Sequence, residues 1–162
     1  MIKYEFPTYS DIHNLVTTGD FYNEIKDFDP NYILSVGRGG YVPSSIISNA
    51  LNGQQIINVG ITTRTKVDPK HKGSSLIPYQ VPDMSLFEPG DRILVVDDIT
   101  DTGRTLKFID SIFRNYNLHL KFSSVYCNSR QQKQLDEKFK LLYADTVDND
   151  NVWIVMPWEK HP

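Results

Sequence analysis

The chain has 162 residues, 40% of them hydrophobic and 23% charged, with a formal net charge of −3. That length and balance suit one globular domain with a sizeable core and exclude a disordered or low-complexity chain. The small negative charge offers no bulk attraction for nucleic acid, and no apolar run approaches the length needed to cross a bilayer, so neither nucleic acid nor membrane is an expected partner. Cys127 is the only cysteine, which rules out an intrachain disulfide. With no signal-peptide pattern at Met1-Ile2-Lys3-Tyr4-Glu5, a reducing, cytoplasmic setting is expected.

In chain order, Thr8 to Phe28 reads as an N-terminal helical segment (1–28) with Ile12, Leu15, Val16, Phe21 and Ile25 as its apolar positions. Gly19-Asp20 interrupts it, so two shorter helices fit as well. Tyr32 to Val36 reads as a buried strand that ends at Gly37-Arg38-Gly39-Gly40 and feeds a helix near Pro43 to Leu51. Gln55 to Ile61 is the next strand. Residues 62–82 read as an irregular polar lid loop carrying Arg64, Lys66, Lys70, His71 and Lys72.

The turn signal Glu88-Pro89-Gly90-Asp91 then opens the run Ile93-Leu94-Val95-Val96, which suits a strand buried on both faces. Asp97 and Asp98 follow at once, then Thr100-Asp101-Thr102-Gly103-Arg104-Thr105, then a helix from Thr105 to about Asn115. Strands are expected at Phe122–Cys127, Tyr143–Ala144 and Val152–Met156, the last opening a tail over 149–162. Strands alternating with helices imply a single α/β domain (1–162), a doubly wound and mostly parallel sheet with flanking helices. In such sheets ligands bind at the carboxyl ends of the strands, so the 37–40 and 97–105 loops are expected in one crevice.

The chemistry concentrates between Asp97 and Thr105. A strand that ends in acids and turns through hydroxyl and glycine residues into a helix N-terminus makes a ribose-phosphate site. Amides and the helix dipole take the phosphate, while the carboxylates take sugar hydroxyls or a metal. Glycines at 37, 39 and 40 would let backbone approach a polyanion and Arg38 could hold an oxygen of it, although the same residues fit a plain tight turn.

The 92–106 stretch, R-I-L-V-V-D-D-I-T-D-T-G-R-T-L, resembles the PRPP-binding motif of the type I phosphoribosyltransferases, and most of the chain from Asp29 to Glu159 resembles their bacterial xanthine/guanine members. The resemblance implies PRPP and a purine base (guanine, xanthine or hypoxanthine) as substrates, Mg²⁺ as cofactor, and a homo-oligomer, dimer or tetramer. It gives Asp97 and Asp98 the ribose hydroxyls and, with Glu159, the metal. Thr102, Gly103, Arg104 and Thr105 take the 5′-phosphate, and Asp101 is the general base. Gly37, Arg38, Gly39 and Gly40 take pyrophosphate, with a cis bond expected at Gly37–Arg38, and Arg64 of the lid closes on it. Trp153 stacks on the base with Val152 and Ile154 as main-chain neighbours. Where the family usually places a lysine that reads the purine oxygen, this chain has Asn128, whose amide can still donate. A different base, or a PRPP- or nucleotide-binding regulator without turnover, fits the same residues.

Overall fold

The computed structural model describes residues 2–65 and 74–160, with backbone alone at 63–65 and 74–75. The elements are β1 (Lys3–Glu5), α1 (Tyr9–Thr17), α2 (Gly19–Phe28), β2 (Tyr32–Val36), α3 (Tyr41–Ala50), β3 (Gln55–Thr65), β4 (Ser74–Gln80), β5 (Arg92–Thr100), α4 (Arg104–Phe113), β6 (His119–Asn128), α5 (Gln132–Phe139), β7 (Leu142–Val147) and β8 (Val152–Ile154). Six strands form one sheet in the order β4-β3-β2-β5-β6-β7, parallel throughout except for β4 at its edge. From β2 the chain moves outward to β3, then returns to place β5 on the other side of β2. That reversal is the topological switch point, and it opens a crevice between the loops that leave β2 and β5.

Alternation along the central strands sends side chains into two cores. Ile33, Leu94 and Val96 pack with Ile12, Val16, Ile25 and Ile47 of α1, α2 and α3. Leu34, Ile93 and Val95 pack on the other face with Leu106, Ile109 and Phe113 of α4 and Leu135 of α5. A strand buried on both faces has no polar side to show, which is why Ile93–Val96 is an unbroken apolar run. Arg92 clamps the starts of β2 and β5 together, donating from Nε to Asp29 O (2.6 Å) and from its terminal nitrogen to the Asp29 carboxylate (2.8 Å).

The break at Gly19 is real: α1 ends at Thr17 and α2 begins at Gly19. A capping box starts α1, with Thr8 Oγ1 accepting from Asp11 N and the Asp11 carboxylate accepting from Thr8 N. Two expectations are corrected. The 62–82 stretch is no irregular loop over its described part, because β3 continues to Thr65 and pairs antiparallel with β4. The β-branched run Ile61-Thr62-Thr63 carries the strand, and Pro78 is tolerated because β4 is an edge. Lys66, Lys70, His71 and Lys72 lie outside the described residues. The C-terminal strand is shorter than expected, ends at Ile154, and leaves the main sheet to pair with β1. Helix α5 lacks an apolar stripe, with Leu135 its single buried residue, so periodicity gave no signal for it.

Candidate active site

The loop after β2 is built for close approach. Gly37 sits at φ +51, a left-handed conformation that costs other residues, and its N–H donates to Val59 O at 2.8 Å. A side chain at Gly40 would stand 2.7 Å from Val36 N and 2.9 Å from Val36 O, so only glycine lets α3 seat this tightly on β2 and β5. Gly39 lies against the Asp98 carboxylate, in space that a Cβ would fill. Arg38 is exposed and makes no ion pair with a described residue. The expected cis bond at Gly37–Arg38 is absent, since no described peptide bond is cis; the positive φ of Gly37 makes the turn.

Across the crevice, β5 runs beyond its apolar stretch through both acids to Thr100. Burial pushes the Asp97 carboxyl well above its ordinary 3.8, and the Asp98 charge beside it pushes in the same direction. Asp98 is also raised by burial, with Ile99 N–H (2.7 Å) opposing the shift and the Glu159 charge adding to it. Two adjacent acids without a cationic partner among the described residues are an electrostatic cost that a bound cation or donated hydroxyls would relieve. Among the described residues no group of three or more His, Cys, Asp or Glu side chains forms a metal cage, so Asp97, Asp98 and Glu159 do not make a closed site. As a donor set Asp97 and Asp98 fit a hard cation whose other ligands are waters and substrate oxygens.

The following turn closes on itself. Residues 97 and 99–106 bound a concavity of about 110 Å³, several times the volume a water occupies in the liquid. Gly103, at φ +71, caps the N-terminus of α4, and the amides of that first turn have no earlier carbonyl within the helix to bond. Thr100 Oγ1 is buried there without a hydrogen-bond partner among the described residues. Asp101 is exposed but tethered, its Oδ1 accepting from Asn128 Nδ2 at 2.5 Å and Asn149 Nδ2 at 3.2 Å. Asn128 Oδ1 in turn accepts from Arg130 N at 3.0 Å. Arg130 pairs with Asp148 (3.0 Å) and with Asp150, which ties the 148–151 turn to the end of β6.

The crevice holds about 1120 Å³. Gly37–Gly39, Asp97, Asp98 and Thr105 line its sheet side, and Trp153, Trp158 and Glu159 its outer side. Trp153 is 58% exposed, which sets aside a core role. Ile154, next to it, is buried and anchors β8, and Val152 N donates to Asp148 O at 2.8 Å. Glu159 accepts from Met156 N at 3.0 Å.

The phosphoribosyl transferase domain family matches residues 14–160, a span that takes in the glycine-rich turn, the acid pair and the hydroxyl-rich helix start. The chain belongs to the phosphoribosyl transferase family. It is 31% identical over 129 residues to the xanthine-guanine phosphoribosyltransferase of Idiomarina loihiensis, covering 80% of this chain and 71% of that one. The fold is shared with a purine phosphoribosyltransferase from Pyrococcus horikoshii (TM-score 0.77, 18% identity, 99% and 97% of the two chains). It is also shared with a hypothetical protein from Neisseria gonorrhoeae solved with ppGpp bound (TM-score 0.81, 19% identity, 99% and 91%). At those identities the two structures speak for the fold alone.

The structure brings together most of the residues singled out in the sequence. Arg64 is placed only by its backbone in β3. Asn128, read as a group for the base, has both ends of its amide engaged elsewhere. Sequence reasoning missed Asn149, Thr100, Trp158 and the strand β1. For β1 a signal existed in the alternation Ile2-Lys3-Tyr4-Glu5-Phe6, a period-two pattern. Nothing local marks Asn149, whose role depends on a turn arriving from the far end of the chain.

Proposed function

We propose that this enzyme transfers ribose 5-phosphate from PRPP to a ring nitrogen of a purine base, with guanine, xanthine or hypoxanthine as acceptor, Mg²⁺ as cofactor and pyrophosphate as leaving group. The observation that carries the reading is the half-buried acid pair facing a glycine-arginine turn across one crevice, with an exposed tryptophan on the outer side. The naming of the Idiomarina relative supports the purine class. In the reaction the bond from C1′ to the pyrophosphate oxygen breaks, the bond from C1′ to the purine nitrogen forms, and the nitrogen's proton leaves to a base.

Asp97 and Asp98 accept from the ribose hydroxyls and would hold the cation. Mg²⁺, when bound, neutralises the departing pyrophosphate. Amides and hydroxyls of Thr102, Gly103, Arg104 and Thr105 donate to the 5′-phosphate at the start of α4. The 37–40 turn and Arg38 receive the pyrophosphate, with Arg64 near the end of β3 as a further candidate. Asp101 takes the proton as general base, and Asn128 and Asn149 act as positioning residues that aim its carboxylate. The base stacks on Trp153, and Asn128 is assigned to Asp101 and no longer to the purine edge.

The test is incubation with PRPP, Mg²⁺ and a panel of guanine, xanthine, hypoxanthine, adenine and uracil, scored by pyrophosphate release and nucleotide mass. Release with a 6-oxopurine is expected. Release with adenine or uracil alone would move the acceptor, and PRPP binding with no release for any base would replace the enzyme with a regulator.

A further inference from the structure

We propose that β1 supplies a second wall of the acceptor slot, with the Tyr4 ring contacting the flat heterocycle beside Trp153 and setting which base is admitted. The inference rests on the transferase reading above and concerns a residue outside the 14–160 span that the family matches.

The geometry starts from the register. β1 and β8 form a two-stranded parallel ribbon in which Lys3 pairs with Val152, Tyr4 with Trp153 and Glu5 with Ile154. Paired residues in such a ladder project from the same face, so Tyr4 and Trp153 emerge side by side. The alternation along β1 agrees. Ile2 and Tyr4 line the crevice with Trp153, while Lys3 and Glu5, on the other face, pair with each other at 2.7 Å.

Both rings are open to solvent, Tyr4 at 47% and Trp153 at 58%. Adjacent exposed aromatics, on the ribbon face away from the charged Lys3 and Glu5, are the mark of a surface awaiting a partner. The ribbon itself is held firmly. Lys3 N donates to Asn151 O at 2.8 Å, Val155 N donates to Glu5 O at 2.9 Å, and Ile154 is buried in the core. Phe6 lies 6.4 Å from Tyr4, ring centre to ring centre, with planes 22° apart, and flanks the Tyr4 ring. A flat π-face on a fixed strand suits a planar nitrogen heterocycle, and the phenol offers one donor or acceptor to its edge.

The experiment compares wild type, Tyr4→Ala, Tyr4→Phe and, as a remote control, Tyr116→Ala. It measures KM for the best base, KM for PRPP, Tm, and tryptophan-fluorescence titration with guanosine 5′-monophosphate. Tyr4→Ala is expected to raise the base KM and the nucleotide Kd about tenfold, the size of one lost stacking contact, with PRPP KM and Tm unchanged. Tyr4→Phe should keep the base KM if the ring face is what matters, and Tyr116→Ala should change nothing. An unchanged base KM in Tyr4→Ala overturns the proposal, as does an equal rise in both KM values with a lowered Tm, which would make Tyr4 merely structural. A wild type that binds the nucleotide without turning over any base would sink the transferase reading and keep this one, provided that Tyr4→Ala weakens the binding. A wild type that does neither removes the slot altogether.

Discussion

The two sides of the crevice are built in opposite ways. The sheet side comes from two short stretches, 37–40 and 97–105, each following a buried strand, and it concentrates half-buried charge and glycine. The outer side comes from residues about 150 positions apart, β1 and β8, and offers exposed aromatic faces on a narrow ribbon. A polyanion with several charges needs many amides and acids at fixed spacing, which only a contiguous turn on a rigid sheet provides. A flat base needs only a face, which two chain ends can supply. Donor recognition should therefore be tightly coupled to the fold, and acceptor recognition only loosely.

The largest expected effect lies at the junction of the two sides. Asp101→Asn should lower kcat by about 10²–10⁴ while leaving PRPP KM little changed, as removal of a general base does. Steady-state kinetics with both substrates varied would check it, and equal losses in kcat and PRPP affinity would reduce Asp101 to a binding group. A pair of variants then separates the sides. Gly40→Ala should cost about 1–3 kcal/mol of stability, because its methyl must intrude on the Val36 backbone. Trp153→Ala should leave Tm unchanged while raising the base KM about tenfold. Thermal melts and kinetics on both proteins would show whether fold and acceptor binding are separable; a large Tm loss in Trp153→Ala would break the contrast.

A smaller effect concerns the acid pair. Because burial raises the Asp97 and Asp98 carboxyls above 3.8, the folded state holds their protons more tightly than the unfolded chain does. The stability this brings is fully present below that value and is lost as pH rises through the elevated native values. Melts in a chelator should accordingly fall in Tm as pH climbs from 4 through the elevated values, and Asp97→Asn should flatten the fall. Added Mg²⁺ should recover part of the loss in wild type and little in the variant. A wild-type profile as flat as that of Asp97→Asn would mean that the pair carries no such strain.

The same contrast explains what was legible from sequence. Ile93–Val96 with its trailing acids announces a strand, a turn and a charge cluster within fifteen residues, so the sheet, the switch point and the donor loops could be placed. Asn128 could be located but not interpreted, since its partner Asp101 is 27 residues away and the hydrogen bond between them exists only once β5 and β6 are paired. Tyr4 was invisible as a site residue for the same reason, because its neighbour Trp153 is set by a register between chain ends. Threonines at 62, 63 and 65 gave a polar stretch that the edge hairpin uses as strand. Local pattern fixes local structure; contacts across the chain decide which side chains share a site.

The most direct measurement is a crystal structure of the protein with guanosine 5′-monophosphate and Mg²⁺. The phosphate is expected against the amides of Thr102–Thr105, the ribose hydroxyls at Asp97 and Asp98, and the guanine ring on the Trp153 face of the β1–β8 ribbon. A nucleotide bound with its phosphate elsewhere, or with its base turned away from that ribbon, would contradict this placement.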